Sequence, residues 1–452
     1  RAHVLCEGGR IVEVVRNAGA RFKSEGMKDD AEARARVRQA TDELDRVFVE
    51  TRRLGQGPAE CDAEYYWSYP QAVDKDFEID CSGYCVLPGL VDCHVHATAS
   101  SSDLRLAAAQ PHSLVTARAV PILEGMLLRG FTTVRDNGGC DFGLAAAIDE
   151  LTLLGPRVQF CGKALSATGG HGDFRSPGEA FLPSCKCCAN PTIARVCDGE
   201  AACRAAARDE VRKGATHLKV MASGGVSSPT DRLTNIQFSD AEIRAIVEEA
   251  SFAGLPVAAH AYTPPAIKRA IQLGCTSIEH GNYADEECLD LMKEEGVYLV
   301  PTLITYDRIL KDGAKDGMPQ ALVDKVGDLV EAGLEALKLA HQKGVSIAYG
   351  SDLLGRSHQH QAEGLALHAT VQSNDALLAS LTEVPSRLLR MEDRIGKTQV
   401  GAYADLIVVE EDTVFDAASL RYPSAMKVIV KDGLLFKLTD DFRGEVTGLR
   451  NR

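Results

Sequence analysis

From Val86 onward, short apolar runs alternate at a fairly regular interval with longer stretches whose apolar residues recur at helical spacing. The short runs predict strands at Leu90–His94, Thr132–Arg135, Arg157–Cys161, His217–Met221, Val257–His260, Ser277–His280, Tyr298–Pro301 and Ser346–Gly350. Between them, Ser239–Ala253, Pro265–Leu273, Asp285–Glu295 and Ala321–Lys343 read as helices. Eight such units over about 300 residues are what a closed parallel barrel requires. The predicted fold class is α/β, a (β/α)8 TIM barrel over residues 86–394. In that fold the active site lies at the C-terminal ends of the strands.

The flanks follow a different pattern. In residues 1–85, His3-Val-Leu and Arg10–Val15 read as short strands around the turn signal Glu7-Gly-Gly9. Lys28–Arg53 is charged, Ala-rich and helix-prone with sparse apolar residues, the pattern of a solvated surface helix or an insertion. Strand character resumes at Asp76–Pro88. Residues 395–452 hold Gly396–Val409 and Met426–Leu435, strands joined by turns without helical partners.

Composition narrows the function classes. At 452 residues and 45% hydrophobic, the chain can bury a large core and exceeds a typical single domain. Its net charge is −14, with acids interspersed among bases, so no basic footprint for nucleic acid is present. No apolar stretch reaches the roughly 18 to 20 residues of a membrane span, and the N-terminus shows no signal peptide. Cytoplasmic localisation is expected, with secretion left open because the chain starts at Arg1 rather than at a methionine. Of the 14 cysteines, Cys185, Cys187, Cys188, Cys197 and Cys203 cluster with spacing too irregular for a four-ligand zinc site. Free thiols and loop disulfides both stay open for them.

Candidate chemistry collects at the ends of the predicted strands. His94 and His96 share one face at the end of the first, since alternate side chains on a strand point the same way. Lys219 lies in the fourth, His260 closes the fifth, His280 the sixth, and Asp352 follows the eighth. Singly, each has an ordinary structural role open to it, such as a helix cap for Asp352. Four imidazoles and a carboxylate converging on one barrel rim point to a metal site.

The pattern His94-x-His96, Lys219, His260, Ile278-Glu-His280-Gly and Gly350-Ser-Asp352 resembles the amidohydrolase superfamily of metal-dependent hydrolases. Ser166-Ala-Thr-Gly-Gly-His-Gly172, Lys219-Val-Met-Ala-Ser-Gly-Gly-Val226, His260-Ala-Tyr-Thr-Pro264 and Pro301-Thr-Leu-Ile-Thr-Tyr306 narrow the resemblance. They are similar to its imidazolonepropionase-like dipeptidase and carboxypeptidase branch, which includes ochratoxinase-like enzymes. The resemblance runs from about Cys81 to Phe415. It implies that the flanking strands form a small discontinuous β-sandwich domain and that the protein is a homo-oligomer. The segment Lys28–Tyr69 is longer than the family's usual linker.

For the site, the resemblance implies two divalent metal ions, with zinc suited to imidazole and carboxylate ligands. His94, His96 and Asp352 would hold one ion and His260 and His280 the other, with Lys219 between them. An ammonium facing such ions would be repelled, and the sequence offers no compensating anion beyond Asp352. A carbamate formed on Lys219 from CO2 removes the conflict. Asp352 would then take a proton from the attacking water and pass it to the leaving amine.

For substrate, His171 is expected to donate to the carbonyl oxygen or to a carboxylate, and Tyr262 to bind the C-terminal carboxylate. Tyr306 and Arg232 also follow strand ends and are further candidates, ahead of His358 and His360. The expected function is a binuclear amidohydrolase that cleaves dipeptides or N-acyl amino acids with a free C-terminal carboxylate. A mononuclear deaminase or cyclic-amide hydrolase would typically place an acid shortly after the fifth strand, where His260-Ala-Tyr-Thr-Pro-Pro265 has none. A non-catalytic scaffold would have lost ligands, and all six remain. The expected partner is a small-molecule or dipeptide substrate, without nucleic acid or membrane.

Overall fold

A computed structural model describes residues 3–7, 9–15, 48–52, 77–176, 178 and 193–447. The chain opens with β1 (His3–Glu7), β2 (Arg10–Val15), β3 (Phe48–Arg52), β4 (Phe77–Asp80) and β5 (Tyr84–Pro88). The next group is β6 (Leu90–Val95), β7 (Phe131–Asp136), β8 (Arg157–Phe160), β9 (Ala164–Ser166), β10 (Ala194–Val196), β11 (Leu218–Met221), β12 (Val257–Ala261), β13 (Ser277–His280) and β14 (Tyr298–Val300). It closes with β15 (Leu406–Glu410), β16 (Met426–Lys431), β17 (Leu434–Leu438) and β18 (Val446–Thr447). Two compact units result, Leu90–Arg390 on one hand and Arg1–Gly89 with Met391–Arg452 on the other.

The larger unit is the (β/α)8 barrel. Its strands pair in parallel as β6-β7-β8 and as β10-β9-β11-β12-β13-β14. A few backbone hydrogen bonds connect these ladders. Thr216 N donates to Phe160 O at 2.9 Å, Ala348 N to Leu299 O at 3.0 Å, and Cys93 N to Tyr349 O at 2.8 Å. The expected eighth strand, Ser346–Gly350, is therefore corrected to a single bridge, Ile347 with Leu299. Its ladder is interrupted because Tyr349 N donates to Ser380 O instead. Gly350 completes the close approach: a Cβ there would sit 2.6 Å from Val300 Cγ1 and 2.8 Å from His94 Cβ.

Helices cover the barrel with their apolar stripes. Asp240–Phe252 starts at a capping box in which Ser239 and Glu242 bond reciprocally, and it buries Ile243, Ile246 and Ala250. Pro264–Gln272 has proline at its first position, where no amide partner is needed, and buries Ile267 and Ile271. The predicted helix Ala321–Lys343 is corrected to Gln320–Val323, a 3-10 turn at Asp324–Val326, and Leu329–Lys343. Gly327, at φ +50° and ψ −121°, breaks it in a conformation that a side chain would strain. Strands β9 and β10 were not predicted; at three residues each they are too short to show a period.

The smaller unit contains two sheets. One is ordered β18-β4-β3-β1-β2 and the other, fully antiparallel, β17-β16-β15-β5. Val4, Cys6, Ile11 and Ile79 from the first share a core with Leu406, Val408, Val428 and Val430 from the second, giving a discontinuous β-sandwich. Two expectations change here. Phe48–Arg52, read as the end of a helix-prone stretch, is β3, parallel to β1 and antiparallel to β4. The alternating sequence Phe-Val-Glu-Thr-Arg suits a strand once two neighbours are present. Asp76–Pro88 divides at Cys81–Gly83, with β4 and β5 in different sheets. The remainder of Lys28–Arg53 and Cys185, Cys187 and Cys188 lie outside the described residues. Cys197 and Cys203 are free thiols with sulfurs 3.6 Å apart. Among the described residues, no helix is long and apolar enough to cross a membrane.

Candidate metal centre

Register places the site residues. The pairs Met221↔His260 and His260↔Glu279 put Lys219, His260 and Glu279 on one face of their strands, inside the barrel. His280 has the opposite parity and reaches the same rim by another route. Its φ of +74° turns the chain at the end of β13. Asp352 likewise has φ +52° and is pinned by its own amide, which donates to His94 O at 2.7 Å. Two non-glycine residues in this strained region mark a backbone that its surroundings overdetermine.

The structure brings together five of the six predicted ligands by direct contacts. Asp352 Oδ1 lies 3.2 Å from His96 Nε2 and 3.5 Å from His94 Nε2, and its Oδ2 lies 3.9 Å from His280 Nδ1. His94, His280 and Asp352 offer ligand atoms within 4.8 Å of one another. The His260 ring packs edge-on to that of His280, with centroids 4.5 Å apart. Lys219, the sixth, is 1% exposed, and its Nζ has no hydrogen-bond partner among the described residues.

The unused nitrogen of each imidazole is held in place. His94 Nδ1 bonds Glu279 Oε2 at 2.7 Å, His96 Nδ1 bonds Gly138 O at 2.8 Å, and His260 Nε2 bonds Gly224 O at 3.0 Å. His280 Nδ1 meets Thr302 Oγ1 at 2.7 Å and Tyr306 OH at 2.9 Å. Such bonds fix the tautomer and leave the other nitrogen to a metal. Burial drives His94 and His260 well below the ordinary imidazole range and His280 to about 3, so these rings are neutral, as ligands must be. His96 goes the other way: burial lowers it, but its hydrogen bond to Asp352, the charges of Asp352 and Asp136 and its bond to Gly138 O together outweigh that. Burial would raise Asp352, yet His94 and His96 hold it well below the usual carboxylate range.

Lys219 supplies the test of fit for a metal. Burial lowers its ammonium to about 8, against the upward pull of Glu279 and Asp352. A buried, unpartnered amine beside neutral imidazoles is costly as a final state. It is explained if a further group occupies the centre, so the donor set fits divalent metal.

Glu279 corrects the expectation that Asp352 is the sole compensating anion. It is fully buried and accepts from Arg135 Nη2 at 2.7 Å, Ser277 Oγ at 2.6 Å and Asn137 Nδ2 at 3.2 Å, besides its bond to His94. Sequence reasoning passed over it because His280, its neighbour, was taken as the inward residue. Asp92 was also missed, although its parity with His94 and His96 was available. Its Oδ1 accepts from His94 N at 3.0 Å and Ser351 N at 3.1 Å, which fastens β6 to the segment before Asp352.

Of the substrate candidates, His171 stacks on His260 with centroids 4.1 Å apart, and Tyr262 stacks on His280 at 5.1 Å. Tyr262 OH and Tyr306 OH are 2.9 Å apart, both rings buried beside the imidazoles. Arg232 is exposed and makes no hydrogen bond or ion pair with these residues. His358 Nε2 bonds Ala99 O at 3.2 Å, and His360 pairs with Glu363.

Comparison with known proteins agrees with this geometry. The amidohydrolase family model matches residues 85–435. The chain is 33% identical to ochratoxinase of Aspergillus niger over 365 residues, which cover 78% of this chain and 75% of that protein. The crystal structure of A. niger ochratoxinase superposes with a TM-score of 0.73 at 27% identity, covering 97% and 96% of the two chains. A prolidase complexed with N-methylphosphonate-L-proline gives 0.80 at 37% identity, covering 97% and 100%. A Xaa-Pro dipeptidase with methionine bound in its active site gives 0.71 at 25% identity, with the same coverage. With its imidazoles and aspartate gathered at one barrel rim, and a family model spanning more than three quarters of its length, the chain belongs to the amidohydrolase family.

Proposed function

We propose that the protein is a two-metal amidohydrolase that cleaves the amide bond of dipeptides or N-acyl amino acids bearing a free C-terminal carboxylate. The observation that carries this reading is Lys219, a buried amine that has no hydrogen-bond partner among the described residues and feels the charges of Glu279 and Asp352. At about 8 its ammonium gives up a proton far more easily than an exposed lysine. The neutral amine is the form that takes up CO2, so a carbamate at Lys219 would supply two oxygens between two ions. His94, His96 and Asp352 would hold one ion, and His260 and His280 the other. Zinc suits this set. Divalent ions in such a site polarise a carbonyl and bring the pKa of bound water to about 7.

The chain's own residues do the rest. Asp352, ionised and backbone-anchored at the rim, would accept a proton from the attacking water and return it to the departing nitrogen. Glu279, Gly138 and Gly224 orient His94, His96 and His260 through hydrogen bonds. His171 and Tyr262 flank the imidazoles and would bind the substrate's carboxylate end. The names of the similar proteins, prolidase and Xaa-Pro dipeptidase, support a peptide-like substrate. The test is a library of N-acyl amino acids and dipeptides, read by mass. Release of free amino acid from the acids is expected, without release of the amino acid amide from the matching C-terminal amides. Cleavage of none of them would contradict the reading.

A further inference from the structure

Of the cysteines that cluster in the sequence, the two within the described residues meet. Cys197 follows β10, and Cys203 lies in the first turn of the helix Glu200–Arg212. Their sulfurs are 3.6 Å apart, and Cys203 Sγ also lies 3.7 Å from Cys197 O. Cys203 is fully buried, whereas Cys197 is 6% exposed. The Cys203 thiol donates to Cys197 Sγ, which holds Cys197 below the ordinary thiol range, while the same bond and burial push Cys203 up. Cys197 is therefore the sulfur that an oxidant meets first, and a second thiol already stands against it.

The surroundings tie this pair to His171. Cys197 N donates to Ser166 O at 2.9 Å. Its neighbour Asp198 accepts from Thr168 N at 2.9 Å and from Thr168 Oγ1 at 2.5 Å. These bonds hold residues 166–172, the stretch that carries His171. A disulfide places its sulfurs about 2.05 Å apart, so closure draws this pair together by about 1.5 Å. Cys203 is held by a 13-residue helix that buries Ala206 and Ala207. Cys197 ends a strand of three residues, so Cys197 and Asp198 are the side that gives.

We infer that Cys197 and Cys203 form a modification site, a dithiol that a hydroperoxide converts to a disulfide, and that closure displaces the stretch carrying His171. With hydrogen peroxide, the Cys197 sulfur attacks one peroxide oxygen and the O–O bond breaks. The departing hydroxide takes the Cys197 proton, leaving a sulfenic acid and one water. The Cys203 sulfur then attacks Cys197 Sγ. The S–S bond forms as the S–O bond breaks, and the hydroxyl leaves with the Cys203 proton as a second water. The two sulfurs give up the two electrons that reduce the peroxide.

The test treats the metal-loaded full chain with a small excess of hydrogen peroxide, then blocks remaining thiols with iodoacetamide in denaturant. Trypsin cuts after Arg195 and Arg204, so residues 196–204 emerge as one peptide that holds both cysteines and no others. That peptide should be unalkylated and lighter than its dithiol form by two hydrogens. A phosphine reductant should return it to the doubly alkylated form. Hydrogen exchange of residues 166–172 should become about tenfold faster on oxidation, the effect of losing one charge-assisted hydrogen bond from Thr168 to Asp198. Cys203→Ala, and equally Cys197→Ala, should show no change in exchange under the same treatment. A peptide that stays open, equal exchange in oxidised and reduced protein, or faster exchange in the variants would each overturn the inference. Turnover of an N-acyl amino acid should fall on closure, an effect that rests on the proposed function. Closure and faster exchange with unchanged turnover would uphold the redox site and contradict the role given to His171.

Discussion

Glu279 shows how much of this site lies behind its ligands. It accepts four hydrogen bonds, from Arg135, Ser277, Asn137 and His94. Burial alone would raise its carboxyl, but Arg135 and Lys219 bring it below the ordinary value. Glu279→Gln keeps the shape yet replaces the anion that orients His94. It should weaken metal affinity by roughly 10- to 100-fold, read by competition with a chelator; unchanged affinity would remove Glu279 from that role. Asp352→Asn should retain much of the metal and lose turnover by about 100-fold or more, since the amide cannot carry a proton. The six candidate ligands were legible in the sequence because histidines, lysine and aspartate are conspicuous at strand ends. Glu279 was not, because it depends on which parity faces inward, and only the φ of +74° at His280 reveals that both neighbours serve the site.

At the scale of elements, barrel strands bounded by turn signals were readable, and the three-residue β9 and β10 were not. Ser346–Gly350 has a strand's composition, yet the requirements of Asp352 and Gly350 leave it one bridge. Phe48–Arg52 was hidden by charged neighbours, and its pairing with β1 and β4 overrides their helical propensity. Gly350 tests this packing. A methyl group there meets Val300 and His94 at 2.6 and 2.8 Å, so Gly350→Ala should destabilise the barrel by about 1–3 kcal/mol and lower the melting temperature by a few degrees. An unchanged melting curve with full metal content would show that the neighbours yield freely.

At the scale of the whole molecule, the barrel rim combines candidate ligands from β6, β11, β12, β13 and the segment after residue 350. Nothing local to any one of those stretches makes a metal centre; Lys219 joins them only if its amine is converted. Because burial lowers Lys219 to about 8, more of it is neutral as pH rises toward and past that value. Metal-free protein supplied with zinc and a fixed concentration of dissolved CO2 should therefore recover activity faster at pH 8.5 than at pH 6.5, by roughly 25-fold. A rate independent of pH and of CO2 would count against carbamylation. The most direct measurement is the metal content of protein purified without chelator, for the wild type and for Lys219→Ala. The account predicts about two divalent ions per chain in the wild type and a loss of most of that occupancy in the variant. About one ion per chain in the wild type, or equal content in both proteins, would contradict it.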